Sequence, residues 1–274
     1  MKFSELKNKL RFKANCRKKK DVVEMRENAV IDKNTEFSTK EAYKTLRTNI
    51  MFSLPNDGKS KIIVVTSAVP GEGKSTTVLN LAITFSQIGS KVLVIDGDLR
   101  KPKIHKYLSV NNNKGLSGIL GGFAKIEDTI VKTDQGFDCI TAGNIPPNPS
   151  ELISSPMLSE LLNNLSDNYD YVFIDSPPVT VVSDTLTVAA VSDGVLLVAR
   201  SKYTPKSLLK QSINNIKITK AKVIGVVVNA VEAKKGTYGG YKGKYYSRGR
   251  YGGYGKYGYH YYYYSQDKIS NKES

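Results

Sequence analysis

The chain alternates short, continuously apolar segments with segments of helical periodicity, and this alternation limits the folds open to it. Six apolar segments predict strands, at 61–67, 91–96, 138–142, 171–175, 194–200 and 222–229. Most hold consecutive Val, Ile or Leu residues, as strands do when both faces of their sheet are covered. Helical stretches such as 75–88 lie between them. The pattern predicts an α/β fold with a mostly parallel central sheet and helices on both faces.

Two basic arms flank this α/β region. The chain has 274 residues and a formal net charge of +16. Residues 1–20 hold nine Lys/Arg and one Glu, a net of +8, and residues 234–274 hold nine Lys/Arg and two acids, a net of +7. The remainder therefore carries only +1. We divide the chain into a basic N-terminal arm (1–37), an α/β domain (38–233) and a C-terminal tail (234–274).

Composition also bears on where the protein works. No apolar run approaches the roughly 20 residues that span a bilayer, and the basic N-terminus lacks the apolar core of a secretory signal. Cys16 and Cys139 lie far apart and without metal-ligand spacing. We expect two free thiols in the reducing cytoplasm.

A glycine-rich loop follows the first predicted strand. Residues 68–76 read AVPGEGKST, which matches the phosphate-binding pattern G-x-x-x-x-G-K-[ST] except that Ala68 replaces the first glycine. In such a loop Lys74 reaches the β- and γ-phosphates, the Ser75 hydroxyl ligates Mg²⁺, and the next helix points its positive end at the anion. We therefore predict ATP and Mg²⁺ as ligands, with the nucleotide held by Pro70, Gly71, Glu72, Gly73, Lys74, Ser75 and Thr76.

Carboxylates end two other predicted strands. Asp96 and Asp98 close the second strand, and Asp175 closes a later one. Acids placed close together repel each other, but beside Mg²⁺ and a phosphoryl group one can hold the metal and another can accept a proton. Asp175 is placed like the acid that holds the metal in phosphate-loop enzymes.

Other polar residues at the predicted strand ends allow two interpretations each. Asn229 ends the last strand, where it either reads a nucleotide base or forms an ordinary turn. Arg100, Lys101 and Lys103 either offset developing phosphate charge or belong to a solvated loop.

A helix is predicted at 38–54, before the first strand. Ser38 and Glu41 have the spacing of a capping box. The apolar residues recur on one helical face, at Tyr43, Leu46, Ile50 and Leu54.

The tail contains a segment, 238–264, that cannot build a core. Its 27 residues include twelve tyrosines and eight glycines, and no carboxylate, aliphatic residue or proline. Exposed phenols behind a phosphate-binding domain suggest that they receive phosphate. Tyrosines interleaved with Arg and Lys also stack on bases, so the tail alone leaves nucleic-acid binding open. The candidate phosphoacceptors are Tyr238, Tyr241, Tyr245, Tyr246, Tyr251, Tyr254, Tyr257, Tyr259, Tyr261, Tyr262, Tyr263 and Tyr264.

Four motifs together resemble those of the bacterial tyrosine kinases, the P-loop kinases tied to capsule and exopolysaccharide synthesis. They are EAYKTLRTNI (41–50), PGEGKST (70–76), VLVIDGDLRKP (92–102) and VFIDSPP (172–178). Together with the tyrosine tail, the resemblance covers roughly residues 36 to 264. Within the family, the chain is most similar to the separate cytoplasmic kinase subunits of Gram-positive bacteria. It implies a P-loop NTPase fold of the MinD/ParA-like branch.

The resemblance also implies residue roles. Lys74 and the loop amides hold phosphates, while Ser75, Asp98 and Asp175 serve the Mg²⁺ site. Asp96 is the candidate base that activates the tyrosine hydroxyl, which makes Asp96, Asp98, Lys74 and Asp175 the catalytic set.

Subunit contacts are implied by the family's E-x-x-R-x-x-R motif, on which Glu41, Lys44 and Arg47 fall. Lys44 stands where the motif has its first Arg, so the charge is kept and the bidentate fork is lost.

The resemblance implies that the chain is an ATP-dependent protein-tyrosine kinase that phosphorylates its own tail. It further implies that this reaction occurs in trans within a ring and that it regulates polysaccharide synthesis or export. Implied partners are a membrane adaptor of the polysaccharide co-polymerase type, a cognate tyrosine phosphatase and further copies of the chain, with no nucleic acid expected. The adaptor would hold the kinase at the inner face of the membrane, helped by the basic arm. A positioning ATPase is the alternative, but Val69 stands where that branch has its signature lysine.

Overall fold

The computed structural model of the chain describes residues 30–231. Within this range the helices and strands follow one another as α1 (Phe37–Ser53), β1 (Lys61–Ser67), α2 (Lys74–Ser86), β2 (Val92–Asp96), α3 (Ile104–Tyr107), α4 (Leu116–Leu120), β3 (Ile130–Lys132), β4 (Asp138–Ile140), α5 (Pro149–Ile153), α6 (Pro156–Ser166), β5 (Tyr171–Asp175), α7 (Asp184–Ala190), β6 (Gly194–Arg200), α8 (Lys206–Ile218) and β7 (Val223–Asn229).

The seven strands form one sheet in the order β3-β4-β2-β5-β1-β6-β7. Every neighbouring pair is parallel except β3 and β4, which are antiparallel. The prediction of a mostly parallel sheet is therefore confirmed. Because β5 lies between β1 and β2, the carboxyl ends of these three strands are adjacent at one edge of the sheet, where α/β proteins bind ligands.

The sheet is covered by apolar side chains on both faces. On one face Val65 of β1 packs in a cluster with Phe85 of α2 and Phe173 of β5. On the other face Val64 belongs to a second cluster that includes Leu162 of α6. The two aromatic rings, Phe85 and Phe173, lie 5.4 Å apart at a tilt of 57°. Burial from both sides explains why these strands carry no polar alternation.

Helix α1 packs through the face predicted for it. Ile50 and Leu54 are buried, and Tyr43 and Leu46 are partly buried against the cluster that contains α2. The helix therefore joins the domain through hydrophobic contacts, to which Arg47 adds a hydrogen bond to α2.

The predicted capping box is wrong. The helix begins at Phe37, its N-cap is Glu36, and no side chain caps it. Ser38 thus lies inside the first turn, where its hydroxyl donates to the Glu36 carboxylate at 3.3 Å. Glu41 pairs with Lys44 instead of turning back to the helix start.

Two edge features differ from the predicted strands. The antiparallel strand β3 was not predicted, because three residues are too short to show a period. At the opposite edge, β7 is only partly covered, and Val226 and Val228 are exposed. No helix within residues 30–231 is long and apolar enough to cross a membrane.

Strand β4 holds a buried free thiol. Cys139 is without solvent exposure between β3 and β2. Burial, and then the nearby Asp96 carboxyl, raises the pKa of this thiol far above its usual range. A thiol that stays protonated is a poor nucleophile, so Cys139 has a packing role.

Candidate active site

The phosphate loop connects β1 to α2 and depends on two glycines. Gly71 and Gly73 have φ angles of +86° and +95°, in the left-handed region. A Cβ on Gly73 would lie 2.0 Å from the Asn229 side-chain nitrogen, so a larger residue does not fit. Lys74 and Ser75 follow at the start of α2 and are almost fully buried. The loop and helix start thus have the geometry of an anion site.

A second loop braces the phosphate loop from outside. The Glu72 side chain is completely buried, and its carboxylate accepts a hydrogen bond from the Val69 amide at 2.9 Å and contacts the Thr204 hydroxyl. Thr204 lies in the β6–α8 connection and also accepts the Arg200 amide at 2.7 Å. The side chain of Glu72 is therefore turned to this connection, which leaves only its backbone for a nucleotide.

Two further contacts reach the phosphate loop, one from the same connection and one from the end of β7. The Tyr203 hydroxyl donates to the Pro70 carbonyl at 3.1 Å, and the Asn229 amide donates to the Glu72 carbonyl at 3.0 Å. Asn229 thus holds the phosphate loop, and base recognition by this residue stays a prediction. Sequence reasoning missed Tyr203 and Thr204, although they follow β6 at the same sheet edge and that position was the available signal.

Asp96 and Asp175 form a buried acid pair. They are partners in register across β2 and β5, and both are almost without solvent contact. The Ser75 hydroxyl donates to Asp175 Oδ2 at 2.5 Å, whereas Asp175 Oδ1 is buried without a hydrogen-bond partner among the described residues. Burial raises the pKa of Asp175, opposed by the charge of Lys74 and the Ser75 hydrogen bond.

The environment of Asp96 shifts its titration towards neutral pH. Burial first, and the neighbouring Asp175 second, raise the pKa of Asp96 to about 8. The amides of Lys103 and Ile104 each donate to its Oδ2 at 3.0 Å, which moderates the shift. A carboxyl with such a pKa is mostly protonated at neutral pH, and a bound cation would favour the ionised form, which is the form that can accept a proton.

Asp98 lies beside this pair on the β2–α3 loop. Its carboxylate accepts the Lys101 amide at 2.9 Å and the Arg100 amide at 3.3 Å, and its charge contributes to the raised pKa of Asp96 and of Asp175. The structure therefore brings the three acids near one another, and one carboxylate oxygen of Asp98 already accepts hydrogen bonds from amides of its own loop.

The oxygen atoms present fit Mg²⁺ held together with phosphate. Asp175 offers a buried oxygen without a partner, and the Ser75 hydroxyl contacts the other oxygen of the same group. Among residues 30–231 no three His, Cys, Asp or Glu side chains converge as a metal cage. Mg²⁺ commonly takes one or two carboxylates and completes its shell with substrate phosphates and water, which matches this donor set.

A polar network that the sequence did not reveal fixes the β2–α3 loop. The Arg100 Nε donates to Asp184 at 3.0 Å, and its terminal nitrogen donates to the Ser150 hydroxyl at 2.6 Å. Ser150 in turn donates to Asp184 at 2.6 Å. The partners are separated by 34 to 84 residues, so no local motif could indicate the contact.

The three residues predicted for subunit contacts do not share one orientation. Glu41 and Lys44 form a half-exposed ion pair with an N–O distance of 2.7 Å. Arg47 instead donates to the Thr84 carbonyl of α2 at 2.5 Å within the same subunit. Their role in assembly stays a prediction. The twelve candidate phosphoacceptors and most of the basic arm lie outside the described residues.

The chain resembles several known proteins along most of its length. The family profile described as an AAA domain matches residues 60–226. The chain is 38% identical over 220 residues to the tyrosine-protein kinase YwqD of Bacillus subtilis, covering 80% of this chain and 92% of that protein.

Solved structures give the same result. The kinase domain of the Escherichia coli tyrosine kinase ETK matches with a TM-score of 0.69 and 34% identity, covering 74% of this chain and 79% of that one. The chimerical protein CapA2B2 matches with a TM-score of 0.67 and 40% identity, covering 70% and 85%. These similarities favour the tyrosine-kinase interpretation over the positioning ATPase. The chain belongs to the bacterial tyrosine-protein kinase family.

Proposed function

We propose that this protein is an ATP-dependent protein-tyrosine kinase that phosphorylates the tyrosines of its own C-terminal tail. The observation that carries the proposal is the meeting of the phosphate loop, the Ser75–Asp175 hydrogen bond and the buried Asp96 carboxyl at one edge of the sheet. The relatives named as tyrosine-protein kinases support it.

Each residue of the site has a defined task in this reaction. Lys74 and the loop amides hold the β- and γ-phosphates, with Ser75, Asp175 and Asp98 as the residues that would hold the metal. Bound with ATP, Mg²⁺ supplies neutralisation of the phosphate charge. Asp96 accepts the proton of the tyrosine hydroxyl as the bond from the phenolic oxygen to the γ-phosphorus forms and the bond to the β–γ bridging oxygen breaks. The products are phosphotyrosine and ADP.

The setting of the reaction extends the proposal. Transfer occurs in trans between neighbouring copies in a ring, because the tail exceeds 30 residues and a linker of that length reaches an adjacent site. The ring is built with Glu41, Lys44 and Arg47. A membrane adaptor keeps the kinase at the inner face of the cell membrane, a tyrosine phosphatase reverses the reaction, and the cycle regulates capsular or exopolysaccharide synthesis.

Mass spectrometry of the purified full chain after incubation with ATP and Mg²⁺ tests this function. We expect phosphotyrosine at several positions between 238 and 264, and at least a hundredfold less in Lys74→Met, because that variant loses the charge that holds the phosphates. Lys210→Met, an exposed residue of α8, is the matched control and retains the wild-type level. Equal phosphorylation of wild type and Lys74→Met, or none in either, contradicts the proposal.

A further inference from the structure

A basic pocket is lined by the loop that follows the acidic end of β2. The cavity has a volume of about 420 Å³, and its basic wall is formed by residues of the β2–α3 loop and of α3 that lie close together in the sequence. We call this cavity the basic pocket and define it by Arg100, Lys101, Lys103, His105 and Lys106.

The charge of the basic pocket is largely uncompensated. None of the residues that line it is an Asp or Glu. Arg100 pairs with Asp184, and the charge of Lys103 acts on Asp175 without a direct ion pair, whereas Lys101 and Lys106 form no ion pair with any carboxylate in residues 30–231. Three lysines around one cavity attract a multiply charged anion more strongly than a single carboxylate.

The basic pocket is held in a fixed position relative to the catalytic acids. The Lys103 amide bonds to Asp96, and the Lys101 amide bonds to Asp98. On the opposite wall Asn112 and Gly143 exchange two hydrogen bonds, of 2.7 and 3.1 Å, between the Asn112 amide and the Gly143 backbone. An anion in the pocket would therefore lie next to the site of phosphoryl transfer.

The unmodified acceptor segment is a poor match for this pocket. Residues 238–264 contain Lys and Arg but no acid, so the pocket repels them. Each phosphotyrosine adds a charge of about −1.5 to −2 and three acceptor oxygens. The runs 245–246 and 261–264 place one tyrosine directly beside another. A tyrosine phosphorylated first thus supplies the anion beside the next acceptor.

We propose that the basic pocket binds phosphotyrosine of an already modified acceptor segment and presents a neighbouring tyrosine to Asp96. The proposal rests on the proposed function and names its preferred substrate, a partly phosphorylated tail. Phosphorylation is then slow at the first tyrosine and faster at those that follow.

Fluorescence anisotropy with a labelled peptide of residues 257–266 tests the binding step. The phosphatase-treated full chain is titrated in the presence of ADP and Mg²⁺, so that the phosphate loop is occupied, with a peptide phosphorylated at Tyr262 or left unmodified. We expect the phosphopeptide to bind at least tenfold more tightly, and the double variant Lys101→Glu/Lys106→Glu to lose that preference. The control variant Lys210→Glu/Lys217→Glu makes the same change of charge on α8, and we expect it to keep the preference for the phosphopeptide.

Several outcomes overturn the proposal. Equal affinity of the wild type for the two peptides would contradict it. An equal loss of the preference for the phosphopeptide in the control variant would also contradict it. A peptide with Glu at position 262, or vesicles of anionic lipid, binding as tightly as the phosphopeptide would identify a general acidic-ligand surface instead. The binding step needs no turnover, so it succeeds or fails independently of the Lys74→Met experiment.

The kinetic consequence is tested with the same peptides as substrates. We expect wild type to add phosphate to the phosphopeptide about tenfold faster than to the unmodified one at low concentration, and the Lys101→Glu/Lys106→Glu variant to show equal rates. A faster reaction with the unmodified peptide contradicts the proposal.

Discussion

Asp96 and Asp175 are held side by side in a place where neither can be solvated. Burial of an ionised carboxylate is unfavourable, and a second carboxylate in register across the strand pair increases the cost. The pair is stable only when protons or a nearby positive charge compensate it. Without such compensation the two groups weaken the domain.

The acid pair predicts a pH dependence of stability. The pKa of Asp96 is about 8 when folded against 3.8 as its ordinary value, so between these pH values the folded chain binds a proton that the unfolded chain does not. Its stabilising contribution is full below pH 3.8 and is lost as the pH rises towards 8. Without nucleotide, the free energy of unfolding should fall by roughly 1 kcal/mol per pH unit in this window.

Chemical denaturation at pH 5 to 8 checks this expectation. Asp96→Asn should flatten the slope, because its side chain has no proton to lose, whereas Asp134→Asn at an exposed position should keep the wild-type slope. An Asp96→Asn variant with an unchanged slope would show that Asp96 does not carry the effect.

Among the elements, the β6–α8 connection has the least expected role. Together with the end of β7 it contacts two residues of the phosphate loop, Pro70 and Glu72. The phosphate loop is therefore shaped by its own glycines on one side and by a distant connection on the other. The fully buried Glu72 is the centre of these contacts.

Removing the Glu72 carboxylate should impair nucleotide binding. Glu72→Ala leaves the Val69 amide and the Thr204 hydroxyl without their partner, at a cost of about 1 to 3 kcal/mol. We expect the KM for ATP to rise about tenfold, with kcat changing less. Glu72→Gln retains an acceptor and should recover most of the loss.

Steady-state kinetics with full-length protein measures the effect of these Glu72 variants. Glu127→Ala, at an exposed carboxylate near β3, is the control and should match wild type. If Glu72→Ala lowers kcat alone and leaves KM unchanged, the contacts of the Glu72 carboxylate do not act through the conformation of the phosphate loop.

Much of the fold could be predicted from local patterns, and the site only in part. The strands 61–67, 171–175 and 194–200 were predicted with their observed bounds, because apolar segments buried on both faces have sharp ends. The candidate acids Asp96 and Asp175 were found because each ends such a strand, and Asp98 because it lies two residues beyond one. The Glu72–Thr204 contact was not predicted, because its partners are 132 residues apart and only the sheet order brings them together.

At the scale of the whole molecule, the charge distribution distinguishes the arms from the domain. The described domain lies within a region that is nearly neutral in total, while the two ends carry +8 and +7. Phosphorylation of a few tail tyrosines would reverse the sign of one end and leave the domain unaffected. Assembly that depends on the basic tail would then respond to the extent of modification.

The buried thiol of Cys139 in β4 can be used to measure how often the sheet opens. Cys139 cannot react with an alkylating reagent while β3 and β2 enclose it, so in the Cys16→Ser chain the labelling rate measures how often the sheet separates. ATP with Mg²⁺ should slow this labelling about a hundredfold at 100 times its Kd, since it binds only the closed form. Labelling that is immediate, or indifferent to nucleotide, would mean that this edge of the sheet opens independently of the phosphate loop.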